Sequence, residues 1–280
     1  MHDQHNMRSE NRLPATPSAA TTGCGFSICM LASGSKGNAI YVNDGDTAIL
    51  IDAGLSGIEI ERRLISRNLS PQSLNAIVVS HEHSDHIKGV GVLSRRYGLP
   101  VYINIGTATA CNRLGRLFEN HKIVCGQAFN IGRINIHPFS LSHDAADPAG
   151  FTLQRDGVKI GIATDLGTVT GMVKTHLRDC QTLVLEANHD ADMLINGPYP
   201  WPLKQRIQSR TGHLSNENTR TLLAELKHER LQQVILAHLS EENNQPQKAL
   251  RTIAPVLSGS RTLIEVAPQH HASRIFCIGQ

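Results

Sequence analysis

The segment Ser80-His81-Glu82-His83-Ser84-Asp85-His86 places three histidines and one aspartate within six residues. It directly follows the β-branched run Ala76-Ile77-Val78-Val79, which predicts a short buried strand. Residues two apart in an extended loop point the same way, so His81 and His83 can bind one ion. Asp85 and His86 lie beyond the bend and can turn toward a second ion. Imidazole and carboxylate groups suit zinc and manganese. We therefore favour a metal site over the alternative, a solvated loop that is merely rich in histidine.

The composition is typical of a globular α/β protein, with 40% apolar residues, 18% charged residues and 23 glycines. A length of 280 residues allows one large domain or two small ones. The net charge of +3 permits an anionic substrate without requiring one. No long lysine or arginine run indicates a tail that binds nucleic acid.

Cysteine usage and the N-terminus predict a cytoplasmic protein. The six cysteines are Cys24, Cys29, Cys111, Cys125, Cys180 and Cys277. They form no C-x-x-C pair, so we expect reduced thiols. Residues 1–22 are polar, lack the apolar segment of a secretory signal and predict a disordered tail. No stretch reaches about 18 consecutive apolar residues, so no membrane association is expected.

Apolar β-branched runs alternate with segments of helical spacing along the rest of the chain. Strands are predicted at 26–32, 39–42, 47–54, 76–79, 101–103, 134–139, 150–154, 159–163, 183–186, 233–237 and 262–266. Helices are predicted at 57–68, 87–97, 107–119, 169–177 and 246–253, and after an N-cap at Ser215 as far as about His228. Residues 33–38 form a Gly/Ser-rich turn, either an ordinary hairpin turn or a loop whose N–H groups bind an anion. Residues 196–202 form a proline-rich loop, in which Trp201 either packs as a plug or stacks on a base.

Polar side chains recur where the predicted strands end. They are Asp52, the cluster at 81–86, His143, Asp165, Asn188, His189 and His238. In α/β layering the ends of several strands meet at one edge of the sheet, where ligands bind. A single histidine at a strand end is more often structural, but the recurrence along the whole chain indicates one shared site.

In this order the residues resemble the motifs of the metallo-β-lactamase superfamily, which follow one another from about residue 26 to residue 266. Five strings are similar to the YycJ/WalJ-like branch of that superfamily. They are S-H-E-H-S-D-H-I-K-G-V-G-V-L at 80–93, S-H-D-A-A-D-P at 142–148, E-A-N-H-D at 186–190, P-Y-P-W at 198–201 and G-H-L-S-N-E at 212–217. The resemblance implies an α/β fold, a four-layer αβ/βα sandwich formed by residues 23–280 as a single domain. Members of this branch are regarded as cytosolic metal-dependent nucleases, described as 5′→3′ DNA exonucleases linked to repair.

The resemblance also implies roles for individual residues. His81, His83 and His143 would hold a first ion, and Asp85, His86 and His238 a second. Asp165 would bridge the two ions. Asp52 would not bind an ion itself but would orient a ligand histidine through a hydrogen bond. Capping of the next helix is the alternative for Asp52. The two cofactors would be divalent ions, Zn²⁺ or Mn²⁺, and Asp85 would also orient the attacking water or accept its proton. Asp165 stands where the main lactamase class has a cysteine, which favours hard cations and a dinuclear site.

Three further residues are candidates for contacts with substrate. His213 precedes the predicted N-cap Ser215 by two residues, so it could contact a phosphate or protonate the leaving oxygen. Packing at the helix entry is the alternative for His213. Asn188 and His189 could support the ligands or contact substrate, and a purely structural role is equally open for His189.

We expect a dinuclear phosphodiesterase whose substrate partner is nucleic acid, with DNA favoured, and the oligomeric state is open. A thioesterase or a phosphodiesterase of small molecules could use the same metals. A non-catalytic metal-binding module is the third possibility, but it would normally have lost some of the ligands.

Overall fold

The computed structural model describes residues 24–111 and 114–279. The strands are β1 (Phe26–Ala32), β2 (Ala39–Asn43), β3 (Ala48–Ile51), β4 (Leu74–Val79), β5 (Pro100–Asn104), β6 (Glu119–Ile123), β7 (Phe129–Ile131), β8 (Ile134–Ser140), β9 (Ala149–Arg155), β10 (Val158–Ala163), β11 (Thr182–Glu186), β12 (Gln233–Ala237), β13 (Leu263–Val266) and β14 (Phe276–Ile278). The helices are α1 (Gly57–Ile65), α2 (Ser84–Ile87), α3 (Val90–Tyr97), α4 (Ile105–Ala110), α5 (Gly171–Leu177), α6 (Ala191–Asn196), α7 (Trp201–Ile207), α8 (Asn216–Leu226) and α9 (Pro246–Ile253). Short 3-10 turns lie at Pro71–Ser73 and Ala254–Leu257.

The strands form two seven-stranded sheets of mixed direction. The first has the order β14-β1-β2-β3-β4-β5-β6 and the second β13-β12-β11-β10-β9-β8-β7. Strands β3 to β6 run parallel in the first sheet, and β10 to β13 run parallel in the second. Parallel strands end at the same edge of their sheet, so the loops that follow β3, β4, β10 and β12 are brought together.

Three hydrophobic cores lie between the layers. The core between the sheets takes alternate residues of each strand, such as Ile28 and Met30 of β1 and Ile160 and Ile162 of β10. The intervening residues, such as Leu31, pack beneath α1 and α3 on the outer face of the first sheet. Helices α5, α8 and α9 cover the outer face of the second sheet. Because both faces of β1 are covered, all seven of its residues are buried. The predicted four-layer αβ/βα sandwich is confirmed.

Two local predictions are wrong. The helix expected at 107–119 ends at Ala110, and β6 begins at Glu119 after a turn in which Gly115 has a φ of +64°. The loop expected at 196–202 contains the start of helix α7, because prolines are tolerated in a first helical turn. Trp201 is the first residue of α7 and is 60% exposed, so it is not a packing plug.

The expectation that all six cysteines are reduced is also wrong. Cys24 and Cys277 form a disulfide, with their Cα atoms 5.5 Å apart. Antiparallel pairing of β1 with β14 brings these two residues together. Their separation of 253 residues in the chain concealed this pairing. Cys29 and Cys180 are free thiols, as predicted, and both are buried.

The predicted tail at 1–22 lies outside the described residues, and the single domain at 23–280 stays a prediction. Within residues 24–111 and 114–279, no helix combines the length and the apolar character that crossing a lipid bilayer requires.

Backbone hydrogen bonds join three loops at the edge of the first sheet. The Gly54 N–H donates to the Asn38 carbonyl at 2.8 Å, and the Asn38 N–H donates to the Asp85 carbonyl at 2.7 Å. The Ala53 N–H donates to the His86 carbonyl at 2.8 Å. The loop after β3 therefore lies directly against the 81–86 segment. A Cβ atom on Gly54 would stand 1.6 Å from the Asp85 carbonyl oxygen, so the contact leaves no room for a side chain.

We therefore expect Gly54→Ala to lower the free energy of unfolding by about 2–3 kcal/mol, because backbone rather than a flexible side chain would have to move. Urea unfolding followed by circular dichroism measures the change. Gly171→Ala is the matched control, since its Cβ would meet nothing within 4 Å. Equal stability of the two variants would contradict the close approach.

Candidate metal centre

The structure brings the seven predicted ligands to one edge of the two sheets. They come from loops or short helices that follow strands: His81, His83, Asp85 and His86 after β4, His143 after β8, Asp165 after β10 and His238 after β12. Residues this far apart in the chain meet because the strands that carry them end at the same edge.

One group consists of three histidines whose ring nitrogens lie within 4.8 Å of one another: His81, His83 and His143. The Nε2 atom of His81 lies 3.0 Å from Nδ1 of His83, and Nε2 of His143 lies 3.3 Å from the same atom. Tetrahedral zinc with Zn–N bonds of about 2.0–2.1 Å places its ligand atoms about 3.3–3.4 Å apart. The spacing of these nitrogens therefore suits one shared cation.

A second group consists of Asp85, His86 and His238. Asp85 Oδ2 lies 3.5 Å from His86 Nε2 and 3.7 Å from His238 Nε2. Asp165 lies between the two groups: its carboxylate oxygens are 3.3 Å from His86 Nε2, 3.5 Å from His238 Nε2 and 3.8 Å from His143 Nε2. A carboxylate in this position can contact ions in both groups.

Two buried atoms at the centre make no hydrogen bond within the described part of the chain. They are Asp165 Oδ2 and His238 Nε2, although the former lies 3.3 Å from His86 Nε2. Buried polar atoms normally have partners, so orphaned atoms require an explanation. Both are potential metal-ligand atoms within the predicted set, so the residues present fit divalent cations.

Asp52 and Ser80 contact Nδ1 of His86 and His81, on the side of each ring that faces away from the centre. Asp52 Oδ2 contacts His86 Nδ1 at 2.7 Å, and both Asp52 oxygens accept hydrogen bonds from Ser80, at 2.8 Å from its N–H and 2.7 Å from its hydroxyl. Because the Ser80 hydroxyl donates to Asp52, it accepts from His81 Nδ1–H at 3.0 Å. These contacts leave Nε2 of both histidines for the centre. Capping of α1 is provided by Ser56, so the capping alternative for Asp52 is wrong.

Glu186, at the end of β11, orients two imidazoles in the second sheet in the same way. Its Oε1 accepts from Nδ1–H of His213 at 2.7 Å and of His238 at 2.9 Å. Its Oε2 accepts from the N–H groups of Leu166 at 2.8 Å and Leu214 at 3.2 Å. Burial opposes ionisation of Glu186, but His213 and His238 outweigh it and lower the pKa of the carboxyl to about 2. One fully buried carboxylate thus fixes two imidazoles and the segments next to Asp165 and His213.

Carboxylates and imidazoles at the centre shift one another's pKa values. Burial disfavours the charged imidazolium of His238, but Asp165 and the neighbouring carboxylates outweigh burial and raise the pKa of His238 to about 10. The pKa of His86 is raised in the same way, against burial, by Asp165 and Asp52. Burial and the neighbouring His86 hold the pKa of His81 well below its usual range. The carboxylates around His86 and His238 thus favour positive charge at the centre, as a site for divalent cations requires.

Three of these side chains leave their strands through a strained backbone. Asp52, Asp165 and His238 have φ values of 60°, 60° and 56°, in the left-handed region that residues other than glycine rarely adopt. Such conformations cluster where function requires a particular side-chain direction.

Asn188 and His189 lie behind the centre. The Asn188 amide donates to the His238 carbonyl at 3.0 Å, so it supports the backbone of a predicted ligand. His189 is buried, pairs with Ser215 in an isolated β-bridge and belongs to no ligand group among the described residues. Burial lowers the pKa of His189 to about 4, which keeps its imidazole neutral.

A cavity of about 170 Å³ opens over the centre. Its walls are formed by Ser35, His83, Asp85, His143, Asp144, Asp165, Leu203, Arg206, Ile207, Thr211, Gly212, His213 and His238. His213 ends up facing this cavity rather than packed at the entry of α8 alone. The turn at 33–38 uses its Gly37 and Asn38 N–H groups within the protein, which favours the hairpin alternative for that segment.

Sequence reasoning missed Glu186, Ser80 and Asn38. The Asn38 amide lies 3.2 Å from Asp85 Oδ2 and 3.0 Å from His86 Nε2. Glu186 carried a signal, because it is an acid at the end of an apolar strand, as Asp52 is. Asn188 and His189 were chosen from the same string instead. Ser80 carried no signal beyond its position beside the cluster, and Asn38 none beyond its place at the end of the Gly/Ser-rich turn.

The comparisons with known proteins agree on one family. A family model described as a beta-lactamase superfamily domain matches residues 47–239. The chain is 39% identical over 236 residues to Exodeoxyribonuclease YycJ of Bacillus anthracis, covering 83% of this chain and 89% of that protein. It is 39% identical over 239 residues to Exodeoxyribonuclease WalJ of Streptococcus pneumoniae, covering 84% and 89%.

Solved structures show the same fold. The metallo-beta-lactamase fold protein YhfI of Bacillus subtilis superposes with a TM-score of 0.69 at 16% identity, covering 89% of this chain and 98% of that one. The chain belongs to the metallo-β-lactamase superfamily, in its YycJ/WalJ-like branch, and is a metal-dependent hydrolase.

Proposed function

We propose that this protein is a dinuclear-metal phosphodiesterase that degrades DNA as an exonuclease in the 5′→3′ direction. The observation that carries the proposal is the pair of ligand groups that share one edge, with Asp165 between them. The substrate class rests on the relatives named as exodeoxyribonucleases. Two ions about 3.5–4 Å apart suit in-line displacement at phosphorus.

Each of the two groups would form the ligand set of one ion. His81, His83 and His143 would hold one ion, Asp85, His86 and His238 the other, and Asp165 would bridge them. Divalent ions held there would supply a Lewis acid and a nucleophilic water at neutral pH. Zn²⁺ and Mn²⁺ are the cations that this mixture of imidazole and carboxylate suits best.

Two side chains of the cavity wall would handle the water and the leaving group. The Asp85 side chain is 22% exposed, so its carboxylate reaches the cavity and can orient the attacking water. His213 donates from Nδ1–H to Glu186, so Nε2 is the ring atom left to hold a proton for the leaving oxygen. Glu186 is a positioning residue, since it acts through His213 and His238.

In the presence of Mn²⁺ or Zn²⁺, the protein is expected to release nucleotides from linear DNA, with the label of a 5′-labelled strand released first. Asp85→Ala and His83→Ala should each lower the rate by about a hundredfold or more, because each removes a ligand from the two-metal clamp. Gel analysis of end-labelled oligonucleotides measures the rate, and His121→Ala, at an exposed histidine of β6, is the control.

The same assay separates the alternatives. DNA and RNA left intact, with cleavage of a thioester or of a small phosphodiester, would show that the substrate class is wrong. Cleavage of RNA in preference to DNA would correct the nucleic acid.

Metal analysis by inductively coupled plasma mass spectrometry should find two divalent ions per chain. His83→Ala should retain about one, because it disrupts only the first group, whereas Asp165→Ala should weaken both. Asp192→Ala, at an exposed acid of α6, should change nothing. A single ion per wild-type chain would contradict the dinuclear site.

Glu186→Gln should weaken metal affinity by about 10–100-fold, because an amide cannot accept all four hydrogen bonds that orient the imidazoles and the adjacent loops. Competition with a chelator measures affinity, and circular dichroism should show a lower Tm for the same reason. Glu225→Gln, at an exposed glutamate of α8, provides the control. Unchanged affinity in Glu186→Gln would mean that the carboxylate has no positioning role.

A further inference from the structure

Arg206, near the end of α7, lies in the wall of the cavity over the centre. It is the only lysine or arginine among the described residues that line this cavity. The other ionisable wall residues are histidines and aspartates of the centre or its border. Arg206 therefore supplies the only fixed cationic side chain in that wall.

The guanidinium group of Arg206 is only partly engaged. Its Nε–H donates to Asp144 Oδ2 at 2.6 Å. Its Nη1 and Nη2 groups make no hydrogen bond with any other described residue, and the side chain is 61% exposed. A planar guanidinium with four free N–H donors matches the geometry of a phosphate group.

Hydrogen bonds fix both the loop that carries Asp144 and the helix that carries Arg206. The Asp144 N–H donates to the Thr211 carbonyl at 3.0 Å, which fixes the loop that carries the ion-pair partner. Lys204, two residues before Arg206 in α7, is buried and donates from Nζ to the carbonyls of Ile195 at 2.7 Å and Gly197 at 2.8 Å, which anchors that helix. An exposed ion pair contributes only about 0–1 kcal/mol to stability. Stability alone therefore accounts poorly for the placement of this ion pair in the cavity wall.

The exposure of Arg206 indicates which phosphate it can reach. The cavity of about 170 Å³ opens over the candidate ligand atoms. A phosphate that is hydrolysed must reach those atoms, so the rest of a strand must leave across the rim. Most of the ligand atoms are buried, whereas Arg206 is exposed.

We propose that Arg206 binds a phosphate of the DNA strand adjacent to the one being cleaved, with Asp144 orienting its guanidinium. This inference rests on the proposed nuclease function and assigns a residue for recognising a polymer. It implies that Arg206 contributes to the binding of an oligonucleotide but not to the hydrolysis of an ester with a single phosphate.

The test compares Arg206→Gln with the wild type on two substrates. KM for a 5′-phosphorylated single-stranded oligodeoxynucleotide should rise about tenfold, the effect of losing a charge-assisted hydrogen bond. The salt dependence of oligonucleotide binding should weaken by about 0.7 in log–log slope, the value for one phosphate contact. Fluorescence anisotropy of the metal-loaded protein with a phosphorothioate oligonucleotide, which resists hydrolysis, measures this slope. Hydrolysis of bis(p-nitrophenyl) phosphate and the Tm should stay unchanged. Arg251→Gln, on α9, is the matched control.

Each outcome bears on the proposal. Unchanged oligonucleotide KM and salt slope in Arg206→Gln would overturn it, and so would equal losses on both substrates with a lower Tm, which indicate a structural role. A wild-type protein that neither binds nor cleaves the oligonucleotide would overturn the proposed function together with this inference. Wild-type cleavage with an unaltered Arg206→Gln variant would overturn this inference alone.

Discussion

Two buried carboxylates, one in each sheet, hold the centre together. Asp52 follows β3 and contacts Nδ1 of His86, and Glu186 ends β11 and accepts from Nδ1–H of His238. A buried charge costs several kcal/mol unless hydrogen bonds satisfy it. Ser80 provides two such bonds to Asp52, and backbone N–H groups provide two to Glu186. The loops must adopt the positions that satisfy these carboxylates, and those positions turn Nε2 of both imidazoles toward the centre.

Much of this arrangement could be predicted from the sequence because its signals are local. The 81–86 segment combines ligand types with the spacing of an extended loop, and the strand before it is a run of β-branched residues. The polar residues at strand ends indicated a shared edge, since parallel strands must end together. Ser215 was identified as a helix N-cap from its own side-chain chemistry, and it accepts from the Asn218 N–H at 3.2 Å.

The failures involve information that the local sequence does not contain. The Cys24–Cys277 disulfide depends on the pairing of the first and last strands. Helix α7 begins inside a proline-rich segment whose composition favours a loop, and the buried Lys204 anchors it through carbonyls outside the helix. Glu186 was passed over for Asn188 and His189 because a histidine looks more like a ligand than a glutamate does. Glu186 is important because it contacts His213 and His238, which are distant from it in the chain.

The strained backbone at the strand ends explains how side chains from several strands come to lie so close together. A regular strand directs successive side chains to opposite faces of the sheet, so a continued strand would place these residues in a core. The left-handed backbone of Asp52, Asp165 and His238 ends each strand abruptly, at a cost of about 1–3 kcal/mol per residue. The buried Asp52 carboxylate accepts hydrogen bonds, and His238 donates one to the buried Glu186 carboxylate. These contacts offset part of that cost. A glycine would relieve the strain but would remove the functional group. The site therefore keeps the strain, because the turn must carry a side chain that can line the centre or hold a neighbouring imidazole.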